Sequence, residues 1–211
     1  MPTVYLSDTK RVTDVGGLVV VEQYDVVLGW IAEKKPQTIY CDPWILDVQA
    51  VGGLNPAAHT AVGGTAFPYA QMDYDAAQEE YSAWRFALPP NFDPDEDIIF
   101  HIFWKSAGAI VGNAVWGASV LGRTEGDDIN AAAMGVNVQV VGTVQGVVEQ
   151  LTVTEITLTP AQHVLAANDM VIVMLTRDGA DVADDLIGDA QVVMVKVDVA
   201  IDPSVLIEGM P

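Results

Sequence analysis

Apolar and polar side chains alternate most clearly over residues 81–104, which read YSAWRFALPPNFDPDEDIIFHIFW. Trp84, Phe86 and Leu88 share one phase of this alternation, and a period of two predicts a strand with one buried face. The two prolines that follow cannot donate to a β-ladder, so the strand is expected to end there. After an acidic turn, apolar residues again take every second position as far as Trp104. The stretch therefore predicts two strands of an all-β fold.

The same kind of pattern continues to the end of the chain. Residues 170–176 are continuously apolar, which predicts a central strand. Valines alternate with Lys196 and Asp198 over residues 193–201, so the valines are expected to face inward. About eight short strands at this spacing, separated by turn residues, are typical of a sandwich or jelly roll. We predict a jelly-roll-like antiparallel β-sandwich over residues 67–203, followed by a C-terminal tail at 204–211.

Residues 1–66 differ from the rest, because short apolar runs alternate there with glycine pairs and prolines. The runs are too scattered for a separate core, and long segments without a core are usually tied to a partner. We predict an extended N-terminal arm that buries its apolar residues on neighbouring subunits. The alternative is that the segment wraps back on its own domain as extra strands. The predicted interface residues of the arm are Val19, Val20, Val21, Val26, Leu28, Trp30 and Ile31.

Charge narrows the range of partners. The 211 residues include 29 acids and 9 lysines and arginines, for a net charge of −20. Such a negative field repels phosphates, so we expect binding to neither nucleic acid nor anionic membranes.

The apolar runs are too short to span a bilayer, and no signal peptide is recognised. A single cysteine, Cys41, excludes an internal disulfide. We expect a protein that is made in a cytoplasm and stays soluble until it meets its partner.

An acidic loop near the end of the chain is the best candidate site. It contains Arg177, Asp178, Asp181, Asp184 and Asp185. Calcium takes six to eight oxygen ligands from groups of this kind, although the spacing is not that of an EF-hand. The other interpretation is that the arginine pairs with a loop carboxylate and fixes the loop on the sandwich. We therefore expect no cofactor, with Ca²⁺ as the alternative.

No arrangement of residues typical of an enzyme is found. His59, His101 and His163 lie far apart in the sequence, and the glycine spacing of a nucleophile elbow or a phosphate loop is missing. The tryptophans at 84, 104 and 116 could form a platform for sugars, but each occupies the apolar phase of a strand and is expected in the core. We predict a protein that is not an enzyme.

The order of parts after residue 67 resembles a β-sandwich domain of structural proteins in tailed bacteriophages. The matching stretches are AWRFALPPNFDPDE, the strand ending in Trp104, AVWGASVLG, RDGADVADDLIGDA and VVMVKVDVAI. Domains of this kind look like trimeric capsid decoration (cement) proteins or the receptor-binding tips of tail fibres. No residue of this chain can be matched to a particular contact residue of such proteins, so the resemblance implies no contact residues.

The resemblance, together with the predicted arm, implies a virion structural protein. The first hypothesis is a homotrimeric decoration subunit on the capsid exterior that contacts the major capsid protein and stabilises the phage head. The alternative is a receptor- or glycan-binding tip of a tail fibre or spike. No long shaft or repeat precedes the predicted domain, and this favours the first hypothesis.

Overall fold

The structure is a computed structural model of the 211-residue chain. It describes residues 3–7, 10–15, 18–25, 29–32, 35–41, 54–62, 67–108, 111–129, 133–147 and 149–202. Side chains are described from residue 36 onward within these ranges.

Strands dominate the described ranges. The first seven are β1 Thr3–Ser7, β2 Lys10–Val15, β3 Leu18–Asp25, β4 Gly29–Ala32, β5 Lys35–Cys41, β6 Asn55–Pro56 and β7 Ala58–Val62. The next six are β8 Tyr69–Tyr74, β9 Glu79–Ala87, β10 Ile98–Ser106, β11 Asn113–Arg123, β12 Val138–Thr143 and β13 Thr152–Leu158. A short helix, α1 Pro160–His163, precedes β14 Met170–Asp178 and β15 Ala190–Ile201.

The strands form three sheets. Strands β1 to β4 make a four-stranded antiparallel sheet in chain order. A second sheet, which we call the front sheet, has the order β13-β10-β15-β8-β7, and β5 also pairs with β15. The third sheet, which we call the back sheet, has the order β12-β11-β14-β9-β6. Among these described strands only the short pairing of β6 with β9 is parallel.

The front and back sheets are the two layers of a β-sandwich. From β8 onward the chain passes repeatedly from one sheet to the other, with β8, β10, β13 and β15 in front and β9, β11, β12 and β14 behind. Sequential strands placed on opposite sheets in this way are typical of a jelly roll. The predicted fold class, an all-β jelly-roll-like antiparallel sandwich, is confirmed.

The core lies between the two sheets, as the alternation of apolar residues requires. The Trp104 ring from the front sheet meets the Trp116 ring from the back sheet with centroids 5.5 Å apart, in an edge-to-face arrangement. Trp84 and the alternate valines of β14 and β15 are buried in the same cluster. The prediction that the three tryptophans are core residues is therefore confirmed.

The inward phase of β15 differs in detail from the prediction. Opposite Phe103 and Trp104, the register moves from Met194 to Val192, so Val193 is an extra residue in a bulge. As a result Val192 is buried in the core and Val193 is only half-buried. Beyond the bulge the valines at 195, 197 and 199 are fully buried, as predicted.

The region predicted as an extended arm, residues 1–66, contributes strands to the sandwich. Strand β5 pairs with β15 from Val195 to Ile201, which is the edge of β15 that β8 leaves free. Strands β6 and β7 pair with β9 and β8. For residues 35–41 and 54–62 the structure thus matches the alternative, extra strands of the same domain. The physical reason is the length of β15, whose twelve residues need partners along both edges.

Candidate functional site

The predicted acidic loop lies at one end of the sandwich and is held by a buried arginine. The Arg177 guanidinium bonds both oxygens of Asp184, Nε to Oδ2 at 2.9 Å and Nη2 to Oδ1 at 2.7 Å, and both side chains are fully buried. Its remaining hydrogens go to the carbonyls of Tyr74, Leu186 and Gly188. The guanidinium thus connects the loop to β8 and β14.

The predicted ion ligands in this loop accept hydrogen bonds from the backbone of the protein. Asp184 and Asp185 accept bonds from the backbone N–H groups of Val115 and Asn113, and Asp181 accepts one from Ala183. Asp178 is the last residue of β14. Within the described ranges no three acidic, histidine or cysteine side chains are grouped to hold a metal ion. The geometry is that of a loop fixed by its own carboxylates.

The residues predicted for the arm interface belong to the first sheet or lie outside the described residues. Val19, Val20 and Val21 are in β3, and Trp30 and Ile31 are in β4. Val26 and Leu28 fall outside the described residues. Contact of these residues with a neighbouring subunit stays a prediction.

The outward face of the front sheet brings together side chains that the sequence does not connect. We call this surface the front face, and define it by four cross-strand rows. They are Asp73, Gln191 and Lys105; Met194, Phe103 and Val153; Tyr40, Lys196, His101 and Glu155; and Thr38, Asp198, Ile99 and Thr157. From strand spacings, the four rows cover about 14 Å by about 20 Å, and in the row at one end Lys105 is buried. It is therefore large enough for an extended ligand.

Four aromatic side chains are wholly or partly exposed on or beside this face. Tyr40 is 65% exposed and Phe67 is 66% exposed, while Tyr69 and Phe103 are partly exposed. The rings of Phe67 and Tyr69 are in contact, with centroids 5.9 Å apart. The three tryptophans whose side chains are described, at 84, 104 and 116, are in contrast in the core. Apolar rings left in contact with water are a common feature of binding surfaces.

A hydrogen-bond network occupies the middle of the front face. His101 lies between two carboxylates, with Nδ1 2.9 Å from Oε1 of Glu155 and Nε2 3.0 Å from Oδ2 of Asp198. Asp198 also bonds Lys196 Nζ at 2.8 Å and the Thr38 hydroxyl at 2.6 Å. Burial acts to raise the pKa of Asp198, but the bonds from Lys196 and Thr38 and the nearby positive charge outweigh it and lower the pKa.

A second network surrounds Asp73 at the other end of the face. Its Oδ1 accepts bonds from the side-chain amides of Gln71 at 2.7 Å and Gln191 at 2.8 Å, and its Oδ2 accepts the Thr60 hydroxyl at 2.5 Å. Gln71 is only 4% exposed, and its Oε1 has no hydrogen-bond partner among the described residues. Gln71 thus holds Asp73 from a position that solvent does not reach.

Lys105 joins the Asp73 end of the face to a loop and to an aromatic ring. Its Nζ forms an ion pair with Glu149, a residue in the left-handed region at φ 65°, and lies 5.7 Å from the Tyr69 ring centroid. Burial alone would lower the pKa of Lys105, but its bonds to Glu149 and Tyr69 and the charge of Glu149 outweigh this effect and raise it. Lys105 is therefore positively charged, and its ammonium group is already paired within the protein.

An open pocket of about 350 Å³ continues the face at its Asp198 end. Its walls include the apolar side chains of Pro36, Ile99 and Ala200 and the carboxylates of Glu96, Asp97 and Asp198. The surface therefore combines flat apolar rings, oriented hydrogen-bonding groups and a recess. This combination is typical of a ligand-binding surface.

The two other histidines do not join His101. His163 is buried beside Phe92, with ring centroids 6.0 Å apart, and Nε2 donates to the Glu96 carbonyl. His59 is in β7 and pairs in register with Met72. The three histidines, all within the described ranges, thus have different surroundings.

The front face is not evident from the sequence, because each strand contributes only part of it. The alternation in β10 places Ile99, His101, Phe103 and Lys105 on the phase opposite to the core. That signal could have identified an outward row. It could not have placed Tyr40 beside Lys196, since these two residues are far apart along the chain.

Comparisons with known proteins add little beyond this geometry. No protein-family model matches the chain, and no curated protein matches it. Among solved structures, a family 11 carbohydrate-binding module from Clostridium thermocellum with a β-1,3-1,4-mixed-linked tetrasaccharide has 12% identity, with 90% of this chain and 96% of that chain covered and a TM-score of 0.36.

Two further structures are similar at the same level. A carbohydrate-binding module of family 28, specific for non-crystalline cellulose, has 8% identity, coverage of 74% of this chain and 86% of that chain, and a TM-score of 0.40. A family 61 module in complex with β-1,4-galactotriose has 10% identity, coverage of 66% and 81%, and a TM-score of 0.34. At these scores neither a family nor a ligand follows for this chain.

In the described part of the chain, no helix has the length and apolar character needed to cross a membrane.

Proposed function

We propose that this protein is a non-enzymatic β-sandwich module that binds a glycan on the front face. The observation that carries this proposal is the placement of exposed aromatic rings beside side chains already held in hydrogen-bond networks. Tyr40 adjoins Lys196 and His101 in one row, and Phe103 lies in the adjacent row. A sugar ring offers an apolar face to an aromatic ring and hydroxyls at its edges, so it requires both kinds of group.

The networks orient the polar groups before a ligand arrives. Asp73 is fixed by Gln71, Gln191 and Thr60, and Asp198 is fixed by partners from β5, β10 and β15. Side chains that are already ordered lose less conformational entropy on binding than mobile ones. A rigid sheet is well suited to this role, because sites on strands are positioned more accurately than sites on loops.

Substitution of the rings provides the test. We expect Tyr40→Ala and Phe103→Ala each to weaken binding to a glycan found on an array by about tenfold, or about 1.4 kcal/mol, because each removes an apolar contact surface. Titration calorimetry with the hit oligosaccharide measures the change. Val141→Ala serves as the matched control, since Val141 is exposed on the back sheet.

The outcomes separate this function from its competitors. Equal loss in the control variant would indicate general destabilisation, and unchanged affinity in both aromatic variants would move the site away from the front face. An array of plant, bacterial and animal glycans without any hit would overturn the proposal.

The capsid-decoration function, the homotrimer, the major capsid protein as partner and the virion location remain proposals that depend on resemblance and on the predicted arm. Parts of that arm, residues 35–41 and 54–62, pair within the sandwich and so are not available to grip another subunit. For this reason we place glycan binding first. Sedimentation of the full chain would test the trimer, and co-sedimentation with phage heads would test the decoration role.

A further inference from the structure

We infer that the front face selects uncharged glycans and rejects those that carry carboxylate or sulfate groups. This inference rests on the proposed function and specifies the ligand class of the same site. It depends on how the charged side chains of the face are already paired.

Both lysines of the face are bound to carboxylates of the protein, and the histidine of the face lies between two carboxylates. Lys105 pairs with Glu149, Lys196 pairs with Asp198, and His101 lies within 3.0 Å of both of its acidic neighbours. An acidic sugar would have to displace one of these carboxylates to gain a cationic partner. It would then leave that carboxylate without its partner, which costs free energy.

The groups that remain available are hydrogen-bond acceptors. Ionised carboxylates accept and do not donate, and Asp73 Oδ2 and Asp198 Oδ1 on the face each accept a single described hydrogen bond, so each keeps a lone pair. The Glu155 side chain is 63% exposed. Hydroxyl groups donate to such acceptors, and a bond to a charged acceptor is stronger than one between neutral groups.

The negative electrostatic field around the face also disfavours acidic glycans. Glu96 and Asp97 line the adjoining pocket together with Asp198, and the whole chain has a net charge of −20. An anionic polymer would approach against this field, and its binding would improve only when salt screens the repulsion. A neutral polymer would be indifferent to the field.

Pairs of polysaccharides that share a backbone and differ in charge provide the test. Suitable pairs are methyl-esterified and de-esterified homogalacturonan, hydroxyethylcellulose and carboxymethylcellulose, and unsubstituted and glucuronic acid-bearing xylan. Affinity electrophoresis of the full chain measures retardation by each polymer at low and high salt. We expect at least tenfold tighter binding to the neutral member of whichever pair is bound.

Two variants connect the selectivity to named groups. Asp73→Asn should weaken binding to the neutral polymer, because it replaces a charged acceptor with a neutral one. Glu155→Gln should reduce the discrimination against the acidic polymer, because it removes a negative charge and releases one side of His101. Glu125→Gln, at an exposed loop position, removes the same charge away from the face and should change neither property.

The possible results are distinct. Tighter binding to the acidic member, or equal binding to both, would overturn the inference and leave glycan binding intact. A shift in selectivity with Glu125→Gln equal to that with Glu155→Gln would also overturn it, since net charge alone would then explain the preference. Retardation by none of these polymers, together with no hit on the array, would overturn the proposed function itself.

Discussion

The indole nitrogen of Trp104 donates a hydrogen bond to the hydroxyl of Thr154, 2.9 Å away in the adjacent strand and sealed from solvent. The bond gives the polar atom of a core tryptophan its partner where no water can reach it. The whole ring can then be buried in the core, where it meets Trp116 edge-to-face. This pair of rings is one of the contacts between the two sheets in the core.

Removal of the Thr154 hydroxyl should cost stability out of proportion to its size. In Thr154→Val the shape is kept but the buried indole N–H loses its acceptor, and we expect a loss of about 1–3 kcal/mol in the free energy of unfolding. Denaturant unfolding measures it. Thr157→Val, at an exposed position of the same strand, is the matched control and should change stability by less than about 0.5 kcal/mol. Equal losses would show that the hydrogen bond contributes nothing specific.

Gly142 gives the ring pair the space it occupies. A Cβ at this position would lie 3.2 Å from both Trp104 Cζ2 and Trp116 Cδ1 and closer still to the Thr154 hydroxyl. We expect Gly142→Ala to destabilise the fold by about 1–3 kcal/mol, because a packed core does not readily admit an extra methyl group. Thermal unfolding measures the effect. Gly126→Ala, where a Cβ meets nothing but φ is 95°, tests whether backbone conformation alone has a similar cost.

Much of the fold could be predicted because alternation reports directly which face of a strand is buried. The inward positions of Trp84, Trp104 and Trp116 follow from their phase, and all three are in the core. Alternation does not show where a bulge occurs, so the displacement of Val193 from the inward phase was missed. Nor does alternation show which strands are neighbours, so the sequence leaves open whether residues 1–66 form an arm or extra strands, and it does not indicate that β5 pairs with β15.

The acidic loop and the front face also differ in how far the sequence reveals them. Arg177 and Asp184 are seven residues apart, so a pairing of that arginine with a loop carboxylate could be inferred locally from the sequence. The front face joins residues separated by up to 160 positions, such as Thr38 and Asp198. Only the strand order brings these side chains together. A surface assembled from several strands is therefore much harder to recognise from sequence than a loop stabilised by its own residues.

The buried pair of Arg177 and Asp184 should be among the most sensitive positions in the chain. We expect Asp184→Asn to lower the free energy of unfolding by about 3–5 kcal/mol, because the arginine would remain buried without its counter-charge. Urea unfolding measures the loss, with Glu125→Gln as an exposed acidic control. The double variant Arg177→Met with Asp184→Leu removes both charges and should recover part of the stability. No recovery would indicate that the guanidinium bonds to the three carbonyls matter more than the ion pair.

The single described thiol should be unreactive in the native protein. Cys41 is buried in β5, and this burial raises its pKa to about 12, so almost no thiolate exists at neutral pH. We expect a disulfide reagent such as 5,5′-dithiobis(2-nitrobenzoate) to label the unfolded chain rapidly and the folded chain only through unfolding. Fast labelling under native conditions, with the fold intact, would show that β5 detaches from β15.

The stability of the sandwich should decrease in mild acid because of His163. Leu165 N–H donates to Nδ1 at 3.1 Å and Nε2 bonds the Glu96 carbonyl, so the folded state needs the neutral ring with its proton on Nε2. Burial lowers the pKa of His163, although the Glu96 carbonyl and the charge of Asp97 oppose the change. The unfolded chain takes up its proton near pH 6.5, before the folded state does. Stability is therefore complete above about pH 6.5 and is lost as the pH falls toward the folded pKa.

A difference between two proteins isolates this effect, because other groups titrate in acid as well. The pKa values of Glu79, Glu80 and Asp189 are raised, mainly by burial, so these carboxyls favour the folded state as the pH falls and partly hide the loss. In His163→Gln the amide can still donate to the Glu96 carbonyl but does not titrate. We expect the free energy of unfolding of the wild type to fall relative to this variant between about pH 7.5 and about pH 5.5, by at most about 1.4 kcal/mol per pH unit. Parallel curves for the two proteins across this range would contradict the prediction. The curves must separate if His163 stays neutral in the folded protein at a pH where the unfolded chain is protonated.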